Sequence, residues 1–183
     1  MTDYLRPISE SYWVIPGRLL AGEYPGQYDE EPTRRCLDAL IEAEFDLIID
    51  LTQPGENVPY IGMLHEEADI YGVNVSRFSF PIGDFGVPTV EQMNSILDAL
   101  DDGLQAGRKI YLHCWGGIGR TGTTVGCYLV RHGRTGAEAL DQLATWWRQV
   151  PKSRYHPHSP ETARQLEFVL RWAQHDKKSP KPR

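Results

Sequence analysis

The order of elements predicts an α/β fold, a central, mainly parallel or mixed sheet of about five strands flanked by helices. Apolar runs of strand length alternate with segments of helical periodicity up to His113, and helical segments alone follow. Helices therefore outnumber strands and are expected to cover both faces of the sheet. A chain of 183 residues is long enough for a substantial core and too short to suggest two, so one domain is expected over residues 1–183. The chain carries no internal repeat, low-complexity stretch or long block of charge.

Tyr12 to Ile15 and Leu19 to Gly22 read as two short strands separated by a turn. Pro32 to Glu44 reads as a helix, and Phe45 to Leu51 as an apolar strand. Ile61 to Tyr71 is the next helix, followed by a strand over Asn74 to Phe80 and a helix over Thr89 to Ala106. Lys109 to His113 is a short buried strand, and Thr121 to His132 a helix bounded by Gly133. Thr135 to Gln149 sets Ala139, Leu140, Leu143 and Trp147 on one helical face, with Trp146-Trp147 divided between core and surface. Pro160 to Gln174 is the last helix, and 177–183 a short basic tail.

The most informative run is His113-Cys114-Trp115-Gly116-Gly117-Ile118-Gly119-Arg120-Thr121-Gly122-Thr123. It lies at a strand-loop-helix turn, where the first helical N–H groups lack intrahelical partners and the aligned peptide dipoles favour an anion. Gly116, Gly117 and Gly119 let the loop wind tightly. Arg120 adds a planar fork able to hold two phosphate oxygens at once. Cys114 falls beneath that anion hole, a setting that favours a thiolate. Alone, such a cysteine would read as a small buried hydrophobe; the glycines, the arginine and the following hydroxyl together point to chemistry.

Residues 117–122 also match the G-x-G-x-x-G dinucleotide fingerprint. That motif needs an acidic residue at the end of a second strand about 20 residues on, whereas Glu138 and Asp141 fall in a helix. No Gly-Lys-Ser/Thr follows the glycines, which excludes a Walker loop.

His-Cys-x-x-Gly-x-x-Arg-Thr-Gly resembles the signature of the cysteine-dependent protein tyrosine phosphatase superfamily, and the likeness extends over about residues 12–174. The resemblance implies a phosphocysteine intermediate with Cys114 as nucleophile. It implies that Arg120 binds the phosphoryl group and that the amides of Trp115, Gly116, Gly117, Ile118, Gly119 and Arg120 cradle it. By the same likeness the Thr121 hydroxyl stabilises the cysteine as leaving group, and His113 orients the loop and tunes the thiol. Residues 17–26 are similar to the first strand region of the smaller, dual-specificity-like branch.

The first step of such covalent catalysis needs an acid for the departing oxygen. Asp84, in the Gly/Pro-punctuated loop Phe80 to Pro88, resembles the general acid of these enzymes, although the loop lacks their Trp-Pro-Asp form. Ser159 to Val169 resembles the segment that positions the hydrolytic water, with Gln165 matching its second glutamine and Glu161 standing where the first would be. A helix start capped by Ser159 reads equally well there.

The implied mechanism requires no metal or cofactor, and His156-Pro157-His158 cannot present two rings on one helical face. A net charge of −6 argues against nucleic acid as a partner. No apolar stretch approaches about 18 residues and no leader is evident, so a cytoplasmic protein without membrane association is expected. Three cysteines fit a reducing compartment, with Cys36 and Cys127 as packing residues. Positions 115–119 carry no lysine, whereas lipid and inositol-polyphosphate phosphatases of the superfamily this chain resembles tend to carry basic residues in that loop; the resemblance thus implies a phosphoprotein substrate rather than inositol phosphates or another small phosphoester. Phosphotyrosine is expected to be preferred, with dual specificity if the pocket is shallow; a phosphate-binding module without turnover is the remaining class.

Overall fold

The computed structural model describes residues 5–176 and residue 178, so the basic tail expected over 177–183 lies outside the described residues apart from Lys178. Among the described residues five strands form one sheet in the order β1-β2-β5-β3-β4, with β1 Ser11–Ile15, β2 Leu19–Gly22, β3 Leu47–Asp50, β4 Ser76–Ser79 and β5 Ile110–His113. Only β1 is antiparallel to its neighbour; β2, β5, β3 and β4 run parallel. Among the described residues six α-helices flank the sheet: α1 Glu30–Glu42, α2 Ile61–Tyr71, α3 Val90–Gln105, α4 Gly119–Arg131, α5 Gly136–Trp147 and α6 Ala163–His175.

Alternation along each strand divides the core in two. Leu20, Ile48 and Tyr111 face α1 and α2, where they meet Leu37, Leu40 and Leu64. Leu19, Ala21, Leu47, Ile49, Ile110 and Leu112 face the opposite way, into the layer built by α3 to α6. The three central strands are buried on both faces, which explains why they read as unbroken apolar runs. Helix α4 lies at the centre of its layer with every residue buried.

The register sets where a site can form. Gly22, His113, Asp50 and Ser79 are successive partners across the parallel strands, so the loops after β2, β5, β3 and β4 leave the sheet at the same end. Open α/β sheets bind ligands at that carboxyl edge.

Several boundaries differ from the sequence expectation. Helix α1 opens at Glu30, ahead of Pro32, because proline is tolerated in a first turn whose N–H groups have no helical acceptor. Helix α4 begins at Gly119 rather than Thr121, which brings Arg120 into its first turn. The last helix begins at Ala163 rather than Pro160, and Thr162 rather than Ser159 caps it. Thr162 and Gln165 form a reciprocal capping box, while the Ser159 hydroxyl is engaged elsewhere. A short 3-10 helix over Pro151–Arg154, which periodicity did not reveal, joins α5 to the segment before α6.

Candidate active site

Strand β5 ends at His113, and Cys114 to Ile118 form the loop that enters α4. Gly117 has φ +74°, and a Cβ there would come within 2.6 Å of the Gly22 carbonyl carbon, so only glycine fits this close approach to the end of β2. Cys114 is buried at the loop's start. Behind it, His113 lies among the rings of Tyr24, Tyr60 and Tyr111. Its Nε2 is 2.8 Å from the Tyr60 hydroxyl and its Nδ1 is 3.0 Å from the Cys114 carbonyl. With Nδ1–H donating to that carbonyl, Nε2 accepts from Tyr60, and the ring is fixed at both ends. Burial holds the His113 pKa below its ordinary value despite the nearby Asp50 carboxylate, so the imidazole is neutral at pH 7.

Asp50 closes β3 and accepts hydrogen bonds from Thr52 N and Oγ1 at 2.8 and 2.6 Å, and from Arg77 Nη2 at 2.7 Å. Burial alone would raise its pKa, but the Thr52 and Arg77 donors outweigh burial and hold it below the usual carboxylate range.

Arg120 is buried and its fork is gripped from two loops. Glu56, after β3, accepts Nη1 at 2.7 Å and Nη2 at 2.5 Å, a bidentate pair. The loop after β4 supplies the Ile82 carbonyl to Nη1 at 3.1 Å and Asp84 Oδ1 to Nη2 at 3.0 Å. Burial would raise the Glu56 carboxyl, but Arg120 and the Gln53 N–H lower it further, so the pair is ionised. Glu56 stands 64 positions from Arg120 and carries no motif; sequence reasoning missed it because only the alignment of strand ends brings the two together.

Asp84 also accepts from its neighbour Phe85 N at 3.1 Å. Phe85 has φ +55°, a left-handed backbone that costs a residue with a Cβ on the order of 1–3 kcal/mol and is concentrated at functional sites. Thr121 is fully buried, and its hydroxyl has no hydrogen-bond partner among the described residues. Gln165 is buried behind Gly119. Its carbonyl oxygen accepts from Glu161 N and Thr162 N at 3.1 and 3.0 Å, and its amide donates to the Gly86 carbonyl at 3.0 Å. It therefore ties α6 to the Asp84 loop, while Glu161 reaches the cleft.

Cys114, Trp115, Gly116, Ile118, Gly119, Arg120 and Asp84 line one cleft of about 720 Å³. Of the positions singled out in the sequence, it brings together the thiol, the guanidinium and the carboxylate; His113, Thr121 and Gln165 stand behind its wall. The outer wall adds Glu23, Tyr24, Phe85, Lys152, Tyr155, His156 and Glu161. Lys152 supplies the cation missing from positions 115–119, from a segment remote in sequence, and pairs with Glu23 at 2.6 Å.

A mixed, mainly parallel sheet with a glycine-rich loop after its central strand, a buried cysteine at the start of that loop and an arginine in the next helix define a domain of protein tyrosine phosphatase type. Residues 9–169 match the family model PTP-SAK, described as Swiss Army Knife protein, DSP-PTPase phosphatase domain. The chain belongs to that family, within the small, dual-specificity-like branch of the cysteine-dependent protein tyrosine phosphatase superfamily. It is 30% identical over 102 residues to the uncharacterized protein MJECL20 of Methanocaldococcus jannaschii, covering 56% of this chain and 63% of that protein. It is 26% identical over 111 residues to tyrosine-protein phosphatase CDC14 of Candida albicans, covering 60% of this chain and 19% of that protein. It thus spans less than two thirds of the length of either curated relative. Among solved structures, Tk-PTP in its active form is similar with a TM-score of 0.63 and 28% identity, covering 88% of this chain and 94% of that one. Kinase associated phosphatase shares the fold with a TM-score of 0.68 at 18% identity, covering 90% of this chain and 93% of that one.

Proposed function

We propose that the chain hydrolyses phosphomonoesters through a phosphocysteine intermediate and acts on phosphorylated proteins, with phosphotyrosine preferred and phosphothreonine a slower substrate. The observation that carries this reading is that Cys114, Arg120 and Asp84 line the same cleft. The Cys114 thiolate attacks phosphorus as the ester P–O bond breaks, and protonated Asp84 gives its proton to the departing oxygen. Arg120 and the loop amides hold the equatorial oxygens through the transition state. Water then attacks the phosphocysteine, the Asp84 carboxylate takes a proton from it, and the thiolate leaves with the Thr121 hydroxyl donating to sulfur. The sum is ester plus water giving alcohol plus inorganic phosphate.

Asp84 on Arg120 Nη2 marks the place an incoming phosphate oxygen takes, and its release from the guanidinium turns the carboxyl toward the leaving group. Gln165 positions the attacking water indirectly, by holding Gly86 two residues from Asp84.

The wall of the cleft supports an aryl phosphate. Phe85, Trp115 and Tyr155 are 56%, 58% and 84% exposed around it and offer ring faces to a phenyl group. The two Arg/Lys cations of the wall are already paired, Arg120 with Glu56 and Asp84, and Lys152 with Glu23, which disfavours a polyanion. The test is phosphate release from a phosphotyrosyl peptide, a phosphothreonyl peptide and an inositol polyphosphate, with reductant and chelator present and Cys114→Ser as control. Cys114-dependent release that is fastest from the phosphotyrosyl peptide is the expected result. Release from the inositol compound alone would overturn the substrate assignment, and release from none would favour a binding module.

A further inference from the structure

A trans peptide group points its carbonyl and the following N–H in opposite directions. A cradle of inward N–H groups therefore requires the loop carbonyls to face outward and to find donors there. Four carbonyls of the loop do so. That of Cys114 lies 3.0 Å from His113 Nδ1, and that of Trp115 accepts from Tyr24 N at 2.8 Å. That of Gly116 accepts from Lys152 Nζ at 3.3 Å, and that of Ile118 from Ser159 Oγ at 2.8 Å. The first two donors belong to the adjacent histidine and to the backbone after β2. The other two are side chains of the connection between α5 and α6, a segment to which the proposed mechanism gives no part.

We propose that Lys152 and Ser159 are positioning residues that hold the anion cradle open by turning the Gly116 and Ile118 carbonyls away from it. The consequence for turnover rests on the phosphatase reading above; the consequence for anion binding does not. The Gly116-Gly117 peptide is where such a restraint matters most, because neither flanking residue has a Cβ to limit rotation. Lys152 is itself anchored, its ammonium on Glu23 Oε2 at 2.6 Å and its backbone N–H on Glu10 Oε2 at 2.9 Å. Ser159 is buried, and its hydroxyl joins Gly122 N, at 3.1 Å, on the Ile118 carbonyl. One connection thus holds the cradle at two points, from the cleft wall and from the start of α4.

The experiment measures protection of Cys114 from iodoacetamide, a neutral reagent, by inorganic phosphate, with the modified residue identified by mass spectrometry. It compares wild type with Lys152→Met, Lys152→Arg and Ser159→Ala, each checked by circular dichroism and thermal melting. Losing one oriented hydrogen bond of about 1 kcal/mol should raise the protecting phosphate concentration about fivefold in Lys152→Met and in Ser159→Ala. Lys152→Arg, which keeps a donor for the Gly116 carbonyl, should restore most of it. If Lys152→Met does not fold, Glu23→Gln, which loosens the ammonium without removing it, should weaken protection in the same direction. Unchanged protection in Ser159→Ala with a loss only in Lys152→Met would mean that the lysine contacts the anion directly, and would overturn the proposal. A wild type that is protected by phosphate yet hydrolyses no ester would sink the phosphatase reading and leave the cradle assignment standing.

Discussion

Asp84 and His113 are the side chains whose protonation matters most, and each carries a prediction. Asp84 shares its Oδ1 between Arg120 Nη2 and Phe85 N, so it rests on the arginine until a phosphate oxygen takes its place. Asp84→Asn is expected to slow hydrolysis of a phosphomonoester with a poor leaving group by about 10²–10⁴-fold and to affect an activated aryl phosphate much less. Equal loss for both would remove Asp84 from the acid role. His113 is held neutral by burial, with a folded pKa below the ordinary value of 6.5. Between the two values the unfolded chain binds more protons than the folded one, so stability rises with pH across that window. The contribution is complete above about pH 6.5 and is lost as pH falls through the folded value. Urea unfolding should give a lower midpoint at pH 5.5 than at pH 7.5, and His113→Asn should flatten the difference. A slope unchanged in the variant would assign the titration elsewhere. Asp50, also held low, adds a loss only at more acidic pH, below the ordinary carboxylate value.

Helix α4 shows how elements are matched to one another. Gly126 faces α6, and a Cβ there would lie 2.8 Å from both Val169 methyl carbons. Gly126→Val is therefore expected to destabilise the chain by about 1–3 kcal/mol through overpacking, seen as a lower urea midpoint with an unchanged slope. An unchanged midpoint would mean that α6 shifts at no cost. Because α6 carries Gln165, whose amide holds Gly86 near Asp84, the same variant should also lower turnover. The existence and type of all six helices were legible because each shows an amphipathic or buried pattern over ten or more residues. The first turns were not, since capping depends on which hydroxyl is free: Ser159 is drawn to Ile118, and Thr162 takes over the cap.

Across the whole molecule, one buried arginine joins three helices. Arg131 at the end of α4 donates to Asp98 at 2.7 Å and Asn94 at 2.8 Å on α3, and to Asp176 at 2.8 Å just past α6. Arg131→Met takes the guanidinium away from the buried Asp176 carboxylate and should cost about 3–5 kcal/mol, read from the thermal midpoint. Combining it with Asp176→Asn should recover part of that loss, and strict additivity would refute the coupling. The same reach across the fold separates what sequence determined from what it left open. His113 to Thr121 are contiguous, so the strand-loop-helix turn that carries the thiol, glycines and arginine was readable from their spacing. Apolar alternation likewise determined the number of strands and the two-sided sheet. Tertiary structure alone decided that Glu56 grips Arg120, that Tyr60 fixes His113, and that Lys152 and Ser159 reach the loop carbonyls. Each of these contacts spans 36 to 64 positions; those of Glu56 and Tyr60 depend on parallel strands ending in register, and those of Lys152 and Ser159 on where the connection between α5 and α6 packs. Local sequence encodes the chemistry of a loop. What surrounds that loop follows from which strand ends lie side by side and from where the connection between α5 and α6 packs, both properties of the assembled fold.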